Sequence, residues 1–467
     1  MRRHLVGSVL SELTERAFQF GSVIYLARVL QTAGFGVLST AHSIASAAFP
    51  LMDLGLATYG TREVARGEQD RGALFADLVI LRALAGGLLV GAAALSPLLP
   101  GALMGRRDVL IASMASLFAM GVSSDWFFRG RERFGTVAAA QTFGLVLSGA
   151  LLYFGVRGEG DLMAGAWARG LFFGGAALAL AGVLFGPLGL RPRRPRWRRA
   201  RAHLSESLPL LGLFTLQLGI TYFPLLWLGF SMEAEAVGLF AAPYRVTLSI
   251  AGLAMVLIRP FFSRFSKLRG DSADFERLHT AYKEVLFLAG LGVAVGGALL
   301  ADELIALLFG AGYQGSAPLF RVLVAAAALA YLRASFGSVL IALGEQRAVL
   351  RASLISYPAG AAIAALLIET QGLAGAAYGV LCVETLVVLT LGLAFAKAVR
   401  PTLPFSREAW KPLAAAGLMA GALFALADLP VLARIALGGA VYLLAALALG
   451  YSGVRALLPQ RLAGGRP

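Results

Sequence analysis

The chain has 467 residues, of which 58% are hydrophobic and only 14% charged, and it carries a formal net charge of +15. A mean hydropathy of +0.76 excludes a soluble globular protein of this length, so the positive charge is not a nucleic-acid footprint. The single cysteine, Cys382, excludes an internal disulfide and a cysteine metal cluster, and no cofactor is implied.

The apolar residues fall into fourteen segments, each near the roughly 20 residues that cross a bilayer as a helix. The first six predicted cores run over residues 8 to 30, 35 to 58, 73 to 98, 108 to 128, 135 to 156 and 162 to 188. The remaining eight run over 206 to 230, 236 to 258, 284 to 308, 317 to 343, 350 to 368, 373 to 396, 410 to 427 and 431 to 453. Met1-Arg2-Arg3 before an apolar run has the form of a secretory signal. The segment is long, however, and carries Glu12, Glu15 and Arg16, so it is expected to stay as the first span.

An even number of spans puts both termini on one side. The loops on that side hold thirty Lys and Arg, against four on the other, the latter being Arg106, Arg107, Arg157 and Arg434. This asymmetry assigns the basic side to the cytoplasm, where it also meets anionic lipid. The densest run, from Arg191 to Arg201, holds seven arginines and comes after the sixth span. Neither face has a loop long enough for a globular domain of about 50 residues.

Weak internal matches appear in order. Gly36-Val37-Leu38 corresponds to Gly238-Leu239-Phe240, Gly130-Arg131-Glu132-Arg133 to Gly344-Glu345-Gln346-Arg347, and Ala164-Gly165-Ala166 to Ala374-Gly375-Ala376. The expected organisation is an N-terminal lobe over 1–190, a basic cytoplasmic linker over 191–204, a C-terminal lobe over 205–398, and an accessory pair of spans with the tail over 399–467. Because each lobe has six spans, the two enter the membrane in the same direction, and a pseudo-twofold axis is expected along the membrane normal.

Seven arginines belong to no loop: Arg16, Arg28, Arg82, Arg169, Arg245, Arg321 and Arg333. At roughly 2.5 to 3.5 kcal/mol each, the set cannot all face lipid, so some line a wet interior. Arg28, Arg82 and Arg321 lie near span ends and are expected to snorkel. Glu12, Arg16, Gln19 and Val23 fall along one helical face, which suits either a structural Glu12–Arg16 pair or a cavity wall. Arg245 comes directly after Pro243 and Tyr244, and Arg333 lies in mid-span.

Acids inside spans are Asp53, Asp77, Asp125 and Glu384, with Asp77 expected near Arg82 on its own helix. A cavity in which guanidinium exceeds carboxylate binds phosphate. The candidate substrate-binding residues are Arg16, Arg245, Arg333, Glu12, Gln19 and Gln217. Gln217 and Thr221 are one turn apart and suit cavity lining or helix packing. Glu15, His42 and Asp53 are candidates for ion coupling, His42 being either a proton relay or a hydrogen-bonded structural histidine.

Several segments resemble a known family. Leu26-Ala27-Arg28-Val29-Leu30 with Gly34-Phe35-Gly36, Asp53-Leu54-Gly55-Leu56 with Thr61-Arg62-Glu63-Val64-Ala65-Arg66, and Asp125-Trp126-Phe127-Phe128-Arg129-Gly130 resemble the N-terminal lobe of bacterial polysaccharide transporters. Gly238-Leu239-Phe240-Ala241-Ala242 and Leu308-Phe309-Gly310 with Tyr313 look like its second lobe. The resemblance implies the fold of the multidrug, oligosaccharidyl-lipid and polysaccharide exporter superfamily, with two bundles around a V-shaped cavity whose basic residues meet a pyrophosphate-sugar headgroup. It implies a flippase of the bacterial inner membrane, not an enzyme. The cargo would be a polyprenyl-pyrophosphate-linked oligosaccharide moved outward by alternating access, with polysaccharide-assembly proteins as partners. Alternatives are a peptidoglycan lipid-precursor flippase, a drug/cation antiporter, and, in another class, a membrane glycosyltransferase or polysaccharide polymerase. The last needs an outer acidic pair, for which Asp302 with Glu303 and Glu233 with Glu235 are the nearest candidates.

Overall fold

The computed structural model describes residues 2–67, 70–96, 101–265, 268, 272–399 and 408–453. The side chains of Glu12 and Glu15 lie outside the described residues. Among the described residues, fifteen α-helices succeed one another: α1 (Arg2–Asp53), α2 (Leu56–Arg66), α3 (Arg71–Leu95), α4 (Arg107–Gly121), α5 (Asp125–Gly130), α6 (Phe134–Gly155), α7 (Leu162–Phe185), α8 (Trp197–Ser231), α9 (Ala234–Phe265), α10 (Ala273–Leu299), α11 (Ala301–Phe309), α12 (Ala317–Ala342), α13 (Gln346–Ala398), α14 (Trp410–Ala425) and α15 (Val431–Ala448).

Among the described residues, eleven helical stretches are long and apolar enough to cross a membrane. Two of them, in α1 and α13, are pairs of spans joined at one residue with non-helical dihedrals: Gln31 (φ 55°, ψ −176°) and Gly372 (φ 61°, ψ −131°). With the shorter apolar α14, these account for the fourteen segments expected from hydropathy. The protein is an all-α, multi-pass membrane protein.

Two of the boundaries that differ from expectation have a clear local cause. The second span stops at Asp53, because Leu54 (φ 55°) and Gly55 (φ 73°) both take left-handed conformations and turn the chain. A Cβ on Gly55 would stand 2.7 Å from the Ser207 carbonyl oxygen, so close approach as well as dihedral angle reserves this place for glycine. Beyond the turn, α2 is an amphipathic helix that buries Leu56, Tyr59 and Val64 and exposes Arg62 and Arg66. The ninth span begins earlier than expected. Ser272 caps α10 by accepting from the Phe275 amide at 3.2 Å, and Asp274 and Glu276 occupy its first turn. Arg277 and Lys283, expected in a loop, therefore belong to the helix, and residues 301–309 form the separate α11.

The described helices pack into two compact units, Met1–Ala242 and Pro243–Pro467. The first centres on Trp126, Phe127 and Phe128, packed with Tyr59, Leu74, Leu78, Val137 and Leu180. Its helices approach closely through small residues: a Cβ on Gly144 of α6 would stand 2.1 Å from the Phe172 carbonyl oxygen of α7. The basic segment after α7 is built into this unit. The Arg193 amide donates to the Gly72 carbonyl at 3.2 Å, and its guanidinium pairs with Asp70 at 2.9 Å. Asp77, fully buried, accepts from the Arg196 amide at 3.1 Å and pairs with Arg199. By packing, residues 191–204 and all of α8 therefore belong to the first unit.

The second unit has an aromatic core of Phe265, Tyr282, Tyr331, Phe336 and Phe395. The last two helices pack on α10 through Leu288, Met419 and Tyr442. Tyr442 donates to the Leu288 carbonyl at 2.8 Å, Tyr451 to that of Glu284 at 3.3 Å, and Ser452 to the Glu284 carboxylate at 2.5 Å. Arg434 of α15 reaches Glu303 of α11 at 2.6 Å and the Leu423 carbonyl of α14 at 3.0 Å.

Candidate functional site

In the first unit, the inner half of α1 meets α7 through a ring stack. Phe18 and Phe172 lie parallel, centroids 4.2 Å apart with an interplanar angle of 1°. Arg169 is one turn before Phe172 and shares its side of α7, whereas Arg16, two residues before Phe18, projects from the opposite side of α1. Arg16 is half-buried and Gln19 exposed. The Arg169 guanidinium lies 5.8 Å from the Phe173 ring centroid and donates to Ser46 Oγ at 3.0 Å. Ser46 Oγ in turn donates to the His42 carbonyl at 2.7 Å, and the imidazole of His42 is buried. Arg169, although one of the seven intramembrane arginines, was not among the site residues expected from the sequence. Its signal was a mid-helix arginine facing a His-xxx-Ser turn, His42 to Ser46, on another helix.

Asp53, the last residue of α1, is buried with Arg82 of α3, Oδ1 to Nη2 being 2.9 Å. Arg82 Nη1 also donates to the Ser123 carbonyl at 3.2 Å. Two expectations are corrected here. Arg82 does not snorkel, since it is only 2% exposed, and its acid is Asp53 rather than Asp77. Five positions apart on a helix, Asp77 and Arg82 lie on nearly opposite faces. Asp77 instead faces the basic segment, with His203 Nε2 3.8 Å away and His203 Nδ1 sharing a 2.8 Å hydrogen bond with the Tyr59 hydroxyl. Asp125 pairs with Arg129 one turn on, at 3.1 Å.

Gln217 of α8 is exposed, and its carbonyl accepts from Thr221 Oγ1 at 2.9 Å. Arg28 is exposed.

In the second unit, Arg245 is half-buried on α9. That helix runs on through Pro243, and the carbonyls of Pro243 and Arg245 accept from Thr247 and Ser249 hydroxyls, both at 2.9 Å. Arg333 of α12 is matched by a carboxylate: its Nε donates to Glu384 Oε2 of α13 at 2.9 Å. Its charge is therefore not spare in this conformation.

Asp302 and Glu303, one of the two acidic pairs considered for sugar transfer, are both engaged by arginines. Asp302 pairs with Arg321, and Glu303 with Arg434. Burial pushes the Glu303 carboxyl up, but its own backbone amide and the Arg434 hydrogen bond outweigh this and hold it below the usual glutamate range. At the opposite end of the accessory pair, the hydrogen bond from Lys411 holds Glu408 down in the same way.

A protein-family model described as polysaccharide biosynthesis protein matches residues 4–267, more than half of the chain. The chain belongs to that family. Among solved structures, this family member is similar to a protein described as "Lipid II flippase MurJ, inward closed conformation", at 12% identity and a TM-score of 0.78, covering 95% of this chain and 98% of that one. It is also similar to a multidrug resistance MATE family transporter of the MOP superfamily, at 16% identity and a TM-score of 0.62, covering 82% and 93%. A third is a MOP superfamily transporter from Pyrococcus furiosus, at 16% identity and a TM-score of 0.54, covering 84% and 93%. No curated protein matches the sequence significantly. At these identities the likeness shows the fold: that of the MOP-superfamily transporters and flippases.

Proposed function

We propose that the chain is a flippase that carries a polyprenyl-pyrophosphate-linked oligosaccharide from the cytoplasmic to the outer leaflet for surface polysaccharide synthesis. Family membership supports the glycan, and the fold supports transport rather than sugar transfer. The observation that carries the headgroup chemistry is Arg169, a mid-span guanidinium held by Ser46 beside the Phe18–Phe172 stack. A guanidinium fixed in this way suits a pyrophosphate, which it can bind through two parallel hydrogen bonds, and Arg16 is given the same role from its place in the first span. Arg245 meets the phosphates in the second unit during the crossing, Gln19 and Gln217 bond to sugar hydroxyls, and the tail stays in lipid. By its spacing in the sequence Glu12 is a candidate for the same site, while Glu15 and His42 are the candidates for coupling. Asp53 and Arg333 instead keep their partners' charges satisfied.

The described acids inside spans favour this cargo over a cationic drug. Asp53, Asp77, Asp125 and Glu384 each pair with an arginine, and the buried Glu284 of the ninth span accepts from Ser452, so these five carboxylates are already engaged. A second reading, a peptidoglycan lipid precursor as cargo, draws on the fold it shares with the Lipid II flippase and uses the same pyrophosphate chemistry.

Arg16→Ala, Arg169→Ala and Arg245→Ala should each cut surface glycan by about tenfold or more at equal protein level, with lipid-linked intermediate accumulating inside. Normal glycan in all three variants would overturn the site. Rescue of cells lacking their peptidoglycan-precursor flippase, without any effect on other glycans, would select the second reading.

A further inference from the structure

Two glycines that mark the same point in the internal repeat touch each other. Gly36 opens the second span and Gly238 the eighth, and the same separation of 202 residues relates Thr32 to Ala234. All four belong to the first unit. A Cβ on Gly36 would stand 1.7 Å from the Ala234 carbonyl oxygen, and one on Gly238 would stand 1.9 Å from that of Thr32. Each glycine thus points at the carbonyl one turn before the other glycine. This is the reciprocity of a twofold contact, in which residue i meets j and j meets i. On each helix it is built from two small residues four apart, Thr32 with Gly36 and Ala234 with Gly238.

Neither position has room for a side chain, so the helices meet backbone to backbone through Cα–H···O and dispersion contacts. The Gly36 carbonyl takes the Thr40 hydroxyl of its own helix at 2.9 Å. In a regular helix the Thr32 and Ala234 carbonyls accept from the amides four residues on, so parting the helices leaves no backbone group unsatisfied in an apolar setting. One turn deeper the closure continues. Thr40 is fully buried, and a Cβ on Gly229 of α8 would stand 2.5 Å from its methyl.

We infer that this reciprocal glycine contact is the outer closure of the transport path, sealing the second and eighth spans in this conformation and separating when cargo is released outside. It rests on the transport reading above and on the arginine-rich loops facing the cytoplasm. A closure of backbone against backbone realigns by shape each time it forms and needs little free energy to separate, unlike a buried ion pair.

The test uses the full chain with Cys382→Ala and Thr40→Cys, leaving one thiol. A membrane-impermeant thiol reagent added outside should label this protein slowly. Gly36→Val and Gly238→Val, which force methyl groups onto the opposing carbonyls, should raise the rate by about tenfold. Gly212→Val on α8, where an added carbon meets nothing within 4 Å, should leave it unchanged. Gly36→Ala gives a smaller rise should the valine variants not reach the membrane. An unchanged rate in folded Gly36 variants, or an equal rise with Gly212→Val, would overturn the inference. As a second measurement, cysteines at the exposed Ala33 and Glu235 are joined by a short reducible reagent. Export should stop and return on reduction, whereas export by the cross-linked protein overturns the inference. Labelling is read without cargo, so a wrong cargo and a wrong closure give different results.

Discussion

Arg82 is 2% exposed and Asp53 4%, with the guanidinium and carboxylate 2.9 Å apart, so each depends on the other for its charge. Arg82→Ala should destabilise the first unit by about 3 to 5 kcal/mol, because it strands Asp53. Joint replacement by Met and Leu should recover most of that loss, as read by thermal melting in detergent. Glu303 makes a prediction in pH. Its carboxyl is held below its usual value, so its contribution is present in full above that value and is lost as pH falls through the folded one. The melting advantage of the parent over Glu303→Gln should therefore be constant between about pH 7 and 5 and decline as pH falls further, through and below the ordinary glutamate range. At this scale the sequence told which charges lie in apolar segments but not their partners. Arg333 and Glu384 are 51 residues apart, and Arg199 reaches Asp77 across 122, distances over which no helical period carries information.

Spans were legible as elements because hydropathy reports burial in lipid whatever the tertiary contacts. Their ends were not, since a helix ends where local geometry stops it, as at Leu54 and Gly55, or starts where a cap such as Ser272 competes with hydropathy. The single-residue joints of α1 and α13 lead to opposite expectations. Gly372 takes dihedrals open only to glycine without strain, so Gly372→Ala should cost about 1 to 3 kcal/mol. Gln31 occupies a similar region as a non-glycine, while its side-chain amide donates to the Arg28 carbonyl at 2.9 Å and caps the first span. Gln31→Gly should therefore be nearly neutral in melting, with relieved strain offsetting the lost cap. The amphipathic α2 was hidden for a different reason. Its apolar residues continue the second span in a hydropathy plot, and only the turn before it shows that Arg62 and Arg66 lie along a surface.

For the whole molecule, the charge asymmetry and the fold could both be read from the chain, whereas the packing of α8 and the basic segment with the first unit could not. That packing takes Arg193 and Arg199 for Asp70 and Asp77 and leaves Arg191, Arg194, Arg196 and Arg198 exposed beside the exposed Trp197. An arginine cluster with an interfacial tryptophan suits anionic headgroups. Replacing these four arginines by Gln should weaken the dependence of export on anionic lipid in reconstituted vesicles. A pyrophosphate cargo moving outward gains about 2.3 kcal/mol per charge per 100 mV of inside-negative potential. Collapsing the potential with a potassium ionophore should accordingly slow export in the same vesicles, and an unchanged rate would point to another energy source.

The polar anchors beneath the last two helices limit how the protein can be shortened. Glu284 is 4% exposed because Ser452 and the helices after residue 408 cover it. Trimming the chain before Trp410 would therefore turn a carboxylate toward acyl chains and unseat α10 from its neighbours. An apparently dispensable appendage is in effect the lining of the ninth span, and evolution could not discard it without also rewriting position 284.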